Sequence, residues 1–240
     1  MSVAVVIPFR AGCPHREAAL ECVIGWWRLA CPEFDVLVAD DGGEPFSRGA
    51  SLNTGIEQSG ADIIVAADGD ILIGRAAAIE AVAMAAAQPG MVQPFDRLRW
   101  YDQQATATLL AAPHQAFTAS APRATYDWNA DMSSTPLRGG MNVLSSDTWE
   151  RMGGWLPALR GWGCEDNAAW AQAETLVAPP RRIAATVHHL YHPKPTSTPY
   201  AASDTIAANA ATWRRVEAAA GNPDAMRQAV TALGGRFDAR

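Results

Sequence analysis

Residues 62–72, DIIVAADGDIL, decide the fold. Five apolar residues, three of them β-branched, run straight into Asp68-Gly69-Asp70, which marks a strand over 62–68 with two carboxylates at its carboxyl end. Working outward, 3–9 (VAVVIPF), 35–40 (DVLVAD) and 91–95 (MVQPF) are strands of the same texture. Longer Ala-rich stretches of helical period separate them. Residues 16–30 place Leu20, Val23, Ile24 and Trp27 on one face and stop before Pro32. Ser47 is an N-cap for a helix through Gln58, and Ile79, Val82 and Ala83 form the inward stripe of a third helix ending near Pro89-Gly90. Alternation of this kind gives an α/β fold with a mostly parallel central sheet flanked by helices.

Residues 96–136 are polar and carry Trp100, Tyr101, Tyr126 and Trp128 without a long apolar period, so they form an excursion able to present sugar-stacking rings or to pack a lid. Strand character returns at 139–145, followed by a short helix closed by Gly153, a helix over 165–176, a strand within 181–190 and a loop over 193–202. The tail from Ser203 is helical twice, split at Gly221-Asn222-Pro223. The 240 residues suit one sizeable α/β domain, and 19 basic against 25 acidic side chains leave a net charge of −6, which disfavours a nucleic-acid-binding protein. Four cysteines without metal-ligand spacing read as reduced thiols in a cytoplasmic protein, and neither a signal peptide nor a membrane span is expected.

Four clusters carry chemistry. Asp68-Gly69-Asp70 supplies hard oxygen ligands for Mg²⁺ or Mn²⁺ held with nucleotide phosphates, or else is a turn closing a strand. In TVHHLYH (186–192), a flat strand projects His188 and His192 to one face, whereas a turn brings His189 and His192 onto one ion. With Asp70, two imidazoles make a mixed nitrogen and oxygen site that favours Mn²⁺. In RGWGCEDNAAW (160–170), Glu165 and Asp166 open a helix, where they either cap it or place a base beside Trp162 on a sugar face. Pro8 and Arg10 end the first strand, and Asp40 the second. Phe46 and Arg48 precede a helix holding Asn53, so the arginines can meet a diphosphate and Phe46 a base.

In order, VVIPFR (5–10), PFSRGASLNTGI (45–56), DIIVAADGDIL, LRGGMNVLSSDTWERMGGW (137–155), GWGCEDNAAW (161–170) and HLYHPKP (189–195) resemble the catalytic domain of the β-1,4-galactosyltransferases, with kinship to the polypeptide N-acetylgalactosaminyltransferases. The resemblance implies a GT-A fold: a nucleotide-binding half over 1–95, an acceptor and catalytic half over 96–202, and a helical extension over 203–240. It implies transfer from a UDP-sugar to a hydroxyl of a glycan, protein or small molecule, with Mn²⁺ or Mg²⁺ as cofactor. Position by position, it implies that Asp70, His192 and His189 hold the metal. Asp68, Gly69, Pro8, Arg10, Asp40, Phe46, Arg48, Asn53, Gly140, Trp162 and Lys194 are then donor contacts, Glu165 binds the acceptor, and Asp166 is the base of an inverting reaction. Retaining relatives tend to have asparagine at the position of Asp166, so a retaining transferase is the nearest alternative. A nucleotidyltransferase is the next, although 8–17 (PFRAGCPHRE) lacks its Gly-rich, lysine-bearing phosphate loop. Cys164 departs from the family, which has glycine there.

Overall fold

The computed structural model describes residues 1–133, 136–193 and 203–237. Strand β1 (Val3–Pro8) is buried along its whole length and lies between β2 (Asp35–Ala39) and β3 (Ile63–Ala67), parallel to both. Its side chains alternate between two cores, as the period of two dictates. Val3, Val5 and Ile7 face one way with Val23 and Trp27 of α1 (Pro14–Ala30). Ala4 and Val6 face the other, with Leu52 and Ile56 of α2 (Arg48–Ser59). Gly55 lets α2 lie directly on the sheet, because a Cβ there would run into Val6 and Ala39. Ser47 caps α2 by accepting from the Ala50 N–H at 3.2 Å, and Gly60 closes it in the left-handed region at φ 56°.

The main sheet has the order β2-β1-β3-β8-β5-β9, with β8 (Met141–Ser145) antiparallel to its neighbours β3 and β5 (Val92–Gln93), and β9 (Arg181–Arg182) parallel to β5. A second sheet, β4-β10-β6-β7, is built from β4 (Ile71–Ile73), β6 (Arg97–Trp100), β7 (Tyr126–Asn129) and β10 (Thr186–His189). The expected single strand over 181–190 is therefore two strands in different sheets. A tight turn in which the Ala185 N–H donates to the Ile183 carbonyl separates them.

Two further expectations are corrected. The 96–136 excursion is not irregular: it holds β6, α4 (Gln103–Ala111, capped by Asp102), a 3₁₀ turn over Pro113–Phe117 and β7. On α3 (Arg75–Ala87) the inward stripe is Ala78, Ala81, Val82 and Ala85, with Ile79 and Ala83 outside, because the helix packs on the sheet through small residues. The remaining helices are α5 (Ser146–Met152), α6 (Glu165–Leu176), α7 (Ser203–Ala219) and α8 (Pro223–Ala232). Helices α6 to α8 form a third core through Ala168, Val216, Met226 and Val230, so the C-terminal helices are bound to α6 by buried apolar surface. Among the described residues no helix is long and apolar enough to cross a membrane.

Candidate active site

The carboxyl ends of β1, β2 and β3 lie on one edge of the sheet, since the strands are parallel, and deliver Arg10, Asp40 and Asp68 there. After β3 the chain turns through Gly69 into β4, which pairs with β10; His189 lies opposite Ile71 in that pair. The Leu190 N–H donates to the Asp70 carbonyl at 2.8 Å, pinning the histidine segment to the Asp-Gly-Asp turn. Asp70, buried, then faces both imidazoles, with His192 Nε2 3.4 Å from Oδ2 and His189 Nε2 3.9 Å from Oδ1. One ligand atom from each of the three lies within 4.8 Å of the others, a spacing a single divalent ion can span. The donor set fits such an ion. His192 Nδ1 donates to the Pro193 carbonyl at 2.8 Å, so Nε2 is the ring nitrogen on the Asp70 side. Burial holds His189 below the usual imidazole range, in the neutral form a metal needs. Turn geometry is thus what the chain adopts: His188 points away, buried, with Nδ1 2.8 Å from the Tyr101 hydroxyl. Burial drops it to about 4, leaving it a neutral core residue.

Arg48 links this turn to the second acidic group. Its Nε donates to Asp68 Oδ1 at 2.8 Å and its Nη1 to Asp166 Oδ1 at 2.9 Å. Asp166 lies in the first turn of α6 with Glu165, where the helix dipole favours carboxylates. Burial nevertheless pushes Asp166 up to about 7, and the Glu165 and Asp68 charges add to the rise that Arg48 opposes. Glu165 is raised for the same leading reason. Gly139 closes against Asp166, where any Cβ would strike Oδ2; the sequence reading names its neighbour Gly140 as a donor contact and misses Gly139. Gly140 adopts φ 89°, and its carbonyl accepts from the Asp68 N–H at 2.9 Å, so its part is to hold the Asp68 turn.

The loop entering α6 needs positive φ at Gly161, Gly163 and Cys164, with φ 73° at the cysteine. Trp162 is half exposed at its tip. Asn209 of α7, also missed, buttresses the loop: its amide donates to the Arg160 and Trp162 carbonyls and accepts from the Arg160 N–H.

Several expected donor contacts are occupied by protein. Arg10 forms a bidentate pair with Asp40, donates to the Gly43 carbonyl at 2.6 Å and stands 5.1 Å over the Phe46 ring, so its charge is neutralised and one face of Phe46 is covered. Arg48 serves two carboxylates and is not a free diphosphate anchor. Asn53 spends its amide on Trp155 and the Trp149 indole and lines a separate cavity of about 300 Å³ with Glu57 and Arg236. Gly69 needs no left-handed φ; it packs over Leu20, Ile7 and Phe9. Pro8 is a buried end residue of β1. Lys194 and the 194–202 part of the expected loop lie outside the described residues. Of the four aromatics, Tyr101 and Trp128 are core residues, while Trp100 contacts His189 and the exposed Tyr126, both at 5.3 Å between ring centres.

A family model described as the N-terminal domain of galactosyltransferase matches residues 121–194. A search of curated proteins finds no match to the sequence. Among solved structures, the chain is similar to Drosophila β1,4-galactosyltransferase 7, a mutant in complex with manganese, UDP-Gal and xylobiose. The TM-score is 0.52 and the identity 16%, over 80% of this chain and 71% of that one. It is also similar to GalNAc-T7 with UDP, GalNAc and Mn²⁺ (TM-score 0.53, 10% identity, 98% of this chain and 55% of that one). S. aureus TarS gives a TM-score of 0.57 at 11% identity, over 97% of this chain and 43% of that one. The fold is that of the GT-A glycosyltransferases, and the segment that matches the galactosyltransferase model contains Asp166 and both candidate metal histidines.

Proposed function

We propose that this protein transfers a sugar from a UDP-sugar to a hydroxyl acceptor, with a divalent metal, by inversion at the anomeric carbon. The convergence of Asp70, His189 and His192 carries the reading, since two imidazoles and one carboxylate meet at the sheet edge where this fold binds nucleotides. Mn²⁺ held by these three residues would supply Lewis-acid stabilisation of the departing diphosphate. Asp166 takes the proton of the attacking hydroxyl. Its basicity near neutral pH is what general-base work requires, and the carboxylate is preferable to the amide of a retaining enzyme at this position. Arg48 keeps Asp68 and Asp166 at fixed separation and offsets the charge of the acidic cluster. Trp162 offers an indole face to a sugar beside that base.

The test is UDP release from a panel of UDP-sugars with Mn²⁺ and with chelator. Release with one or more sugars that chelator abolishes supports the proposal; release that ignores chelator, or none with any sugar, defeats it.

A further inference from the structure

Arg138 and Arg182 are partly buried and share one aromatic ring. Arg10, Arg48 and Arg160, also partly buried, are each ion-paired to a carboxylate within 4 Å. Among the described residues neither Arg138 nor Arg182 is. Both guanidiniums lie over the Trp170 ring, at 5.8 and 4.8 Å from its centre, and Arg182 is also 5.5 Å from that of Trp128. Arg138 Nε is buried without a hydrogen-bond partner. Burial, and then the like charge of Arg138, disfavour the charged form of Arg182. The carboxylate whose field favours Arg182, Asp96, has its ion pair with Arg97 instead, at 3.9 Å. Two partly buried like charges on one aromatic ring, neither in ion-pair contact with a carboxylate among the described residues, are unfavourable unless an anion completes them.

The pair is wired to the base. Arg182 donates through Nη1 to the buried Gln93 side chain and through Nη2 to the Leu137 carbonyl at 2.7 Å; Gln93 Nε2 donates to the Gly139 carbonyl at 3.2 Å, and Gly139 is the residue that abuts Asp166. Trp170 itself follows Asp166 by four residues on α6, so the two lie on one helix face about 6 Å apart along the axis.

We propose that the acceptor carries an oxyanion, phosphate or carboxylate, which Arg138 and Arg182 bind over Trp170 so that a neighbouring hydroxyl of the same molecule meets Asp166. Guanidinium groups suit both anions through paired N–H donors, and aromatic support keeps them flat and pre-ordered. This inference names the substrate class of the transfer reaction proposed above and rests on that reading.

Titration calorimetry of the protein, with and without saturating UDP and Mn²⁺, against sulfate and against malonate reads the anion site without turnover. Saturable binding is expected, with malonate preferred if the natural anion is a carboxylate and sulfate if it is a phosphate. Affinity should fall at least tenfold in Arg138→Gln and in Arg182→Gln. Arg182→Gln removes a packed side chain; should it not fold, Arg138→Gln decides, because its guanidinium makes no hydrogen bond among the described residues. Absence of binding in the wild type, or equal binding in the variants, overturns the inference. UDP release with water alone as acceptor separates the two readings. No release from any UDP-sugar ends the transfer reading even where anions bind, and release without anion binding ends only this inference.

Discussion

Asp166 has its proton affinity set by one favourable and several unfavourable neighbours. Burial, Glu165 and Asp68 push it up to about 7 while Arg48 holds it down. Below that pH the carboxyl is protonated and cannot accept the hydroxyl proton. The acceptor kcat/KM is therefore expected to fall tenfold per pH unit on the acid side, with a midpoint near 7, measured by UDP release. The stability contribution has the opposite sense: it is fully present below the unfolded carboxyl pKa of about 3.9 and is lost as pH rises through the folded value. Asp166→Asn keeps the shape and the bond to Arg48 but no base, so transfer should drop by roughly 10²–10⁴-fold with UDP affinity within twofold of wild type. A variant retaining full transfer removes Asp166 from this role. At this scale the sequence showed which side chains reach the cleft but not how they pair. Arg10 and Arg48 are equally consistent with phosphate anchors, and only the folded chain puts Asp40 on one and Asp68 with Asp166 on the other.

The element that most constrains the site is the loop entering α6. Cys164 sits at φ 73°, where a side chain costs about 1–2 kcal/mol against right-handed backbone and glycine little. Cys164→Gly should raise stability by up to about 1 kcal/mol and Cys164→Val should lower it by at least about 1 kcal/mol, read from denaturant midpoints. A stabilising valine would contradict the strain. Helix α7 holds the same loop through Asn209, whose three bonds reach Arg160 and Trp162. Asn209→Ala, leaving two carbonyls and one N–H unpaired, should cost about 1–3 kcal/mol and raise the acceptor KM more than it changes Mn²⁺-dependent UDP affinity.

Elements were legible in the sequence where a long period or a cap announced them. Helix α6 spans Glu165–Leu176, the range its period and leading acids indicate, and Ser47 and Gly153 bound α2 and α5. Strands β6 and β7 were hidden. Each has four residues, so RLRW shows a single inward Leu98 between exposed arginines, too little for a period of two to register. Their existence depends on β10, which arrives from 89 positions further along and pairs Val187 with Leu98. No local signal encodes that pairing.

At the scale of the whole molecule, two sheets meet at one turn. Strand β3 of the main sheet ends just before Asp68, the second sheet begins with β4 just past Asp70, and β10 brings His189 and His192 back across more than a hundred residues to that turn. Parallel strands set the acidic edge, the third core fixes α6 with Asp166 beside it, and Arg48 ties the two. The architecture makes sense as a device for holding a cation on one side and a base on the other. Calorimetry of UDP binding, with Mn²⁺ and with chelator, for the wild type and His192→Ala tests that claim most directly. Wild-type UDP affinity should rise more than tenfold with Mn²⁺, and the gain should vanish in His192→Ala. A gain of equal size in both proteins, or none in the wild type, would contradict it.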